Sequence, residues 1–528
     1  MTFISNWADK VLAVRSTWVV ALATFVWLAA TTWTRPLLLP DEGRYVGVAW
    51  HMLSSGQFSV PRLDGLPFFH KPPLFYWITA LAMKVFGANE WAARLSSVLS
   101  ATLIVTLLFW FLKTYVNRRT AIVAAIILAS QPFLFGGAQY ANLDMTVAAM
   151  ITATVIAAAA AVFGLEAGER YRAALAAAYA LAGLGFLAKG LIGVVLPGGI
   201  LFFWLLGRRR FDLMRRLLWL PGLGVFAVVA LPWMAAMQWR YPEFFDYYIV
   251  HQHFQRFMEK GFNNPHPFWF YVPVLLALTL PWSAQIWRLA NKASWSGGPH
   301  GAVRGLMLSW LLVVLIFFSL PTSKLVGYIL PALAPFAFFL AEPFVARLQG
   351  AGQARAQTVF MRFLAVSVGI GLAAVVALAV VAPQPTSSRL VRTMLEQYRS
   401  DDTIVMLERY RYDMDFYLGI DKPSLIVANW ADPNLKFQDN WRRELYDAGR
   451  FEPEAAAAVL VGPHDVVDLL CADRVGATWL TGNKDSGDAY PFLNGLAPFA
   501  EDGKLRVWRV APGPALSFCA EMPRTGLK

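Results

Sequence analysis

Charge is scarce in this chain. Of its 528 residues only 15% are Asp, Glu, Lys or Arg, against about 25% in soluble domains. That excludes an ordinary soluble globular protein, and a hydrophobic content of 57% shows what replaces the charge. Cysteine is scarcer still. Cys471 and Cys519 are the only two and have no metal-type spacing; a disulfide and two buried thiols are equally open. No glycine-rich phosphate loop is present, so no nucleotide cofactor is expected. The glycine-rich stretch 183–199 sits inside an apolar helix and reads as close packing. Internal repeats are lacking, which counts against a transporter or lipid flippase built from repeated halves.

What is there is a series of apolar runs, each long enough for a bilayer core of roughly 30 Å. They cover residues 13–35, 92–112, 119–138, 146–164, 172–188, 190–206, 217–236, 268–286, 304–320, 325–341 and 357–382. The expectation is a polytopic α-helical membrane protein with about 11–13 transmembrane helices. The first run reads as an uncleaved helix rather than a signal peptide, because it is long and a charge-rich loop follows it. The formal charge of +12 could suggest nucleic acid. Its distribution argues otherwise: Lys113, Arg118 and Arg119, then Arg170 and Arg172, then Arg208, Arg209, Arg210, Arg215 and Arg216 occupy short alternate loops. Basic loops stay cytoplasmic, which puts the N-terminus inside, everything after residue 382 outside, and no nucleic acid among the partners. Membrane lipids surround a chain expected to act as a monomer.

The division expected is a membrane domain over 1–382 and an outer, periplasmic-type α/β domain over 383–528. In the second, Thr403–Leu407, Leu425–Ala428, Thr478–Leu480 and Leu505–Val510 read as strands, with Pro453–Leu460 and His464–Cys471 helical. The first outer loop, 36–91, holds a short amphipathic helix from Asp41, with Tyr45, Val48, Ala49 and Met52 on one face, predicted to lie on the membrane. A second amphipathic helix, 72–86, opens at Pro72-Pro73.

The ionisable residues on the outer side are the candidates for chemistry, since charge near lipid depth is costly unless it serves a purpose. Asp41 and Glu42 open a helix, where an N-cap and a first-turn acid are the bland readings; Arg44 and Tyr45 follow them. His70 and Lys71 precede another helix start, itself an anion site. Asp144 begins the fourth run and could be an N-cap; Lys189 lies between two runs, where snorkelling is the default. His251, His253 and Arg256 share an aromatic loop, and an arginine fork matches phosphate oxygens. Lys324 and Tyr328 stand four residues apart, on one face if helical. Lys71, Arg256, Lys324 and Tyr328 suit a lipid-level phosphate, while Asp41 and Asp144 suit glycosyl transfer.

Asp41-Glu42-Gly43-Arg44-Tyr45, Val60-Pro61-Arg62-Leu63-Asp64-Gly65, Lys71-Pro72-Pro73, Asn89-Glu90, Gln255-Arg256-Phe257, Ser323-Lys324-Leu325 and Tyr328-Ile329-Leu330-Pro331 occur in that order. This combination resembles the bacterial aminoarabinose lipid A transferases, among the protein O-mannosyltransferase-like glycosyltransferases of the GT-C class. The resemblance is weaker over 383–528. It implies an undecaprenyl-phosphate sugar as donor and a lipid A phosphate as acceptor. Asp41 would be the essential acid, Asp144 a second cavity acid, and Lys71, Arg256 and Tyr328 donor-phosphate contacts. Lys189, Arg44 and Tyr45 would line the cavity. Where that family commonly has Glu-Lys-Pro, this chain has His70-Lys71-Pro72. His70 and His251 are then candidate ligands for a divalent metal such as zinc. The same departure widens the alternatives to another sugar or acceptor: galactosamine on lipid A, protein O-mannosylation or polysaccharide.

Overall fold

A computed structural model describes residues 14–255, 264–290, 300–349, 352–381, 386–472, 475–511 and 519. The described residues fall into two compact units that interleave along the sequence. One holds those within Met1–Arg35, His70–Ala82 and Asn89–Pro383; the other holds those within Pro36–Phe69, Met83–Ala88 and Gln384–Lys528.

The first unit is a bundle of apolar helices, and each of the eleven apolar runs coincides with helix. Among the described residues seven helices are long and apolar enough to cross a membrane, or eight if the bent pair Arg118–Ser130 and Pro132–Ala138 is one span. The other three runs yield shorter pieces: Thr17–Ala29, Ile192–Gly207, and Tyr271–Leu278 followed by a 3₁₀ turn at Trp282–Ala290. The number of full-length spans is thus lower than the 11–13 expected. Hydropathy counts an apolar run without registering a break at Pro132 or Pro281, where a missing backbone N–H interrupts the helical ladder. This is a multi-span membrane protein.

Helices Leu143–Ala167 and Val326–Leu348 are mostly buried and form the centre, whereas Gln353–Val380 is largely exposed and presents its apolar surface outward. Glycines allow the central contacts. A Cβ on Gly193 would collide with the backbone of Gly185, so the helices Arg172–Lys189 and Ile192–Gly207 meet at backbone distance. At the C-terminal end of Leu143–Ala167, Glu166 pairs with Arg208 at 2.8 Å and Arg210 at 2.5 Å. Asp144 lies at the opposite end of the same helix. At 1.5 Å per residue the two acids are about 33 Å apart, one bilayer crossing.

The second unit contains a six-stranded sheet. In chain order its strands are β3 (Thr403–Leu407), β4 (Leu425–Val427), β5 (Leu460–Val461), β6 (Thr478–Asn483), β7 (Ala500–Asp502) and β8 (Leu505–Val510), following a hairpin of β1 (Arg62–Leu63) and β2 (Leu66–Pro67). The sheet order is β5-β4-β3-β6-β8-β7. β3 runs parallel to β4 and β6, while β8 returns antiparallel to β6 with Leu480 opposite Trp508. Val405, Leu407, Val427, Leu480 and Trp508 fill the core on one face. Cys471 and Cys519 are joined as a disulfide.

The helix Asp41–Ser55 belongs to this unit, and its apolar face does not simply lie on lipid. Tyr45, Val46, Val48, Ala49 and Met52 are buried. Gly43 and Gly47 face the backbone around Tyr412, and Trp50 donates its indole N–H to the Ile420 carbonyl at 2.7 Å. The apolar stripe that periodicity assigned to a membrane surface is buried, and it is the opposite face, with Gly43, Gly47 and Trp50, that packs on the segment 412–420.

Candidate active site

In the second unit the helix start divides the work between its two acids. The N-cap position is Pro40, which offers no side-chain acceptor. Glu42, fully buried, takes over: its Oε2 accepts from the Leu38 backbone N–H at 2.9 Å. Asp41 is neither cap nor buried. Its carboxylate, 40% exposed, pairs with the Arg44 guanidinium one turn on. Arg44 is also paired with Glu444, and the Tyr412 hydroxyl donates to the other Glu444 oxygen at 2.6 Å. The Arg44 guanidinium stands 5.0 Å from the Tyr45 ring and 6.0 Å from the Tyr412 ring. Burial alone would lower the Arg44 pKa, yet Glu444, the two tyrosines and Asp41 hold it well above its ordinary value. Burial, then the Glu444 carboxylate, pushes the Tyr412 phenol well up. The chain Tyr412–Glu444–Arg44–Asp41 therefore fixes a charged, partly solvated carboxylate at a helix start.

In the first unit the corresponding acid is Asp144. Asn142 supplies the cap, accepting from the Asp144 backbone N–H at 2.8 Å, so the Asp144 carboxylate is free for another partner. That partner is Lys189, the last residue of helix Arg172–Lys189. The Lys189 ammonium also lies 4.2 Å from the centre of the Tyr328 ring. Gly327 allows this approach: a Cβ there would come within 2.7 Å of Asp144 Oδ2. Three elements remote in sequence thus deliver an acid, an amine and a phenol to one point, all at helix ends.

Lys324 is placed differently from expectation. The helical turn begins only at Val326 and is 3₁₀, with Pro331 inside it, so Lys324 precedes it and shares no helical face with Tyr328. Its ammonium donates to the His266 carbonyl at 3.0 Å and to the Pro321 carbonyl, clamping two loop strands. His70 and His251 both contact the Tyr247 ring, at 5.9 and 5.6 Å between centroids, His251 on the π-helix Asp246–Gln255. Lys71 is half-buried just ahead of helix Leu74–Phe86. Arg256 lies outside the described residues. Among the described residues no three His, Cys, Asp or Glu side chains gather as a metal site. Two imidazoles are short of the three or four protein ligands zinc sites use.

Glu444, Tyr412, Asn142 and Gly327 escaped the sequence reading. Glu444 follows the N-cap Asn440 within one turn and looks like any first-turn acid, so only the fold reveals its partner. Asn142 did carry a signal, being an N-cap residue type two places before Asp144.

Residues 70–235 match the family described as dolichyl-phosphate-mannose-protein mannosyltransferase. An undecaprenyl phosphate-α-4-amino-4-deoxy-L-arabinose arabinosyl transferase of Pseudomonas fluorescens (strain Pf0-1) is 34% identical over 315 residues, 59% of this chain and 56% of that protein. Its counterpart in Pseudomonas aeruginosa (strain UCBPP-PA14) is 34% identical over 342 residues, 63% of this chain and 61% of the relative. The chain thus spans less than two thirds of the length of the curated relatives it matches. The crystal structure of ArnT from Cupriavidus metallidurans bound to undecaprenyl phosphate superposes with a TM-score of 0.77 at 21% identity, covering 96% of this chain and 98% of that one. The chain has the ArnT-like GT-C fold. The resemblance read from the order of short motifs is therefore borne out by relatives carrying the aminoarabinose transferase name. The ArnT likeness extends over both units, including 383–528, where the sequence resemblance was weaker.

Proposed function

We propose that this chain transfers a sugar, 4-amino-4-deoxy-L-arabinose, from undecaprenyl phosphate to a lipid A phosphate at the outer face of a bacterial inner membrane. The observation that carries the reading is Lys189 held between the Asp144 carboxylate and the Tyr328 ring at the ends of apolar helices. Such a polar group, assembled from three elements at membrane depth, is a site by default. The names of the relatives supply the donor and the sugar.

In the proposed step an acceptor phosphate oxygen attacks the anomeric carbon, the bond to the lipid phosphate breaks, and configuration inverts. Charge grows on the departing undecaprenyl phosphate, and Lys71, Arg256 and Tyr328 are the groups assigned to stabilise it. Lys324 is assigned only the loop clamp that its two carbonyl bonds support. Asp144 steadies the developing oxocarbenium charge, and Lys189 orients its carboxylate. An ionised phosphate acceptor needs little proton removal, so Asp41 acts as an electrostatic stabiliser; a hydroxyl acceptor would instead call on it as general base. No step is assigned to a metal, and transfer is expected to persist in a chelator at millimolar concentration.

The N-terminus is assigned to the cytoplasm and the sheet-bearing region to the outer side, from the basic loops around Arg208 and Arg210. Mass spectrometry of lipid A from cells with and without the gene tests the reaction. A pentosamine-sized increase that disappears in D41N supports it. Unchanged lipid A together with an altered glycoprotein would instead favour the protein-directed reading, which the mannosyltransferase family match supports.

A further inference from the structure

A small open cleft, with room for about one water molecule, lies within the second unit. Helix Asp41–Ser55, the tip of the β1–β2 hairpin and the segments around Tyr410, Asp415 and Asp421 line it. Two carboxylates face each other there through one serine. Asp64 Oδ1 accepts from the Ser424 backbone N–H at 2.9 Å, and the Ser424 hydroxyl bonds Asp415 Oδ1 at 3.2 Å. Asp64 is only 4% exposed, and its second oxygen, buried in the wall of the cleft, has no partner.

Every nearby cation is engaged elsewhere. Arg62 forks onto both oxygens of Glu452 at 2.7 Å. Lys422 donates to the Ser400 carbonyl at 2.8 Å. His51 is held uncharged at neutral pH, because burial and the Arg62 charge lower its pKa to about 4. Among the described residues no cation bonds to the pair, and Asp413 and Asp421 add negative charge nearby. A buried carboxylate without a counter-charge takes up either a proton or a cation.

We propose that Asp64 and Asp415 hold a hard divalent cation of the calcium class in this cleft. The donors on offer are oxygens: two carboxylates, the Ser424 hydroxyl, the Tyr410 phenol and water entering through the mouth. Calcium accepts six to eight such ligands in loose geometry, with affinities of about 10⁻⁴–10⁻³ M in extracellular modules. A transition metal would favour nitrogen and sulfur ligands, of which the cleft lining offers His51 alone. Burial, then Asp415, pushes the Asp64 carboxyl up, and burial with Asp413 pushes Asp415 to about 7, consistent with a pair that lacks its counter-ion. The bound ion would tie the hairpin tip of the first outer loop to the loop before β4, both within this unit.

The test is thermal unfolding of the full chain in detergent, stripped with EDTA and then titrated with calcium chloride at constant ionic strength. A saturable rise in Tm of about 2–4 °C by a few millimolar is expected. Asp64→Asn and Asp415→Asn should lose it, while the exposed Asp468→Asn keeps it. Asparagine tolerates the left-handed backbone of Asp64, φ +51°. Terbium luminescence sensitised by Trp50 and displaced by calcium provides a readout on the unaltered chain. An unchanged wild-type Tm without terbium binding, or an equal rise in D64N, would overturn the site.

Discussion

Lys189 has an acid on one side and an aromatic face on the other, and the space for both depends on a missing side chain. Gly327→Ala would bring a methyl group to 2.7 Å from Asp144 Oδ2, so the carboxylate must move from Lys189. We expect at least tenfold slower transfer with Tm shifted by only a few degrees, a split that separates a displaced acid from a collapsed helix. Asp41→Asn keeps a hydrogen-bonding group opposite Arg44 but removes the charge; transfer should vanish while the protein purifies and melts normally, and full activity would remove Asp41 from the mechanism. His51 gives a pH signature. Its folded pKa, lowered to about 4 by burial and then Arg62, lies below the ordinary 6.5. The folded chain therefore binds fewer protons than the unfolded one, and stability present above pH 6.5 is lost as pH falls towards 4. His51→Gln should flatten that part of the Tm–pH curve.

At the level of elements, the helix starts show what sequence can and cannot tell. Strands β3 and β8 appear where Thr403–Leu407 and Leu505–Val510 alternate or run apolar, because burial on a sheet leaves a local imprint. β5, at Leu460–Val461, starts on the last residue of the helix predicted over Pro453–Leu460 and escaped notice because two residues carry no period. The acids were legible as residues but not as partners. Asp144 was a possible N-cap until Asn142 was seen accepting from its N–H, and Asp41 a possible N-cap until Glu42 was seen bonding Leu38. The Arg44–Glu444 pair joins positions 400 residues apart, and no local period reports it. Asn142→Ala should cost about 1 kcal/mol, and should lower transfer as well, because the Asp144 N–H would compete for its own side chain.

For the whole molecule, the disulfide and the longest-range hydrogen bonds among the described residues lie in the second unit. The Cys471–Cys519 bridge closes a separation of 48 residues, and on the chain-entropy account its loss removes about 4 kcal/mol. A Cys471→Ser, Cys519→Ser double variant should therefore melt earlier in that unit, visible as a separate low-temperature transition. The unit's composition has a further consequence, one of timing. Leu37 donates to the Tyr417 hydroxyl, and Trp50 to the Ile420 carbonyl, across gaps of 380 and 370 residues. At about 5–20 residues per second, synthesis takes roughly 20 to 70 seconds to bridge such a gap. The loop bearing Asp41 emerges early, then waits for its partners around Tyr412 and Ile420 until most of the chain has been made. A ribosome that stalls within the membrane segments leaves the loop without Tyr412 and Glu444, and so without the groups that hold Arg44 against the acid. Order of synthesis thus acts as a completeness check: the Asp41 carboxylate is fixed only once Tyr412 and Glu444 exist, although it is among the first residues to be made.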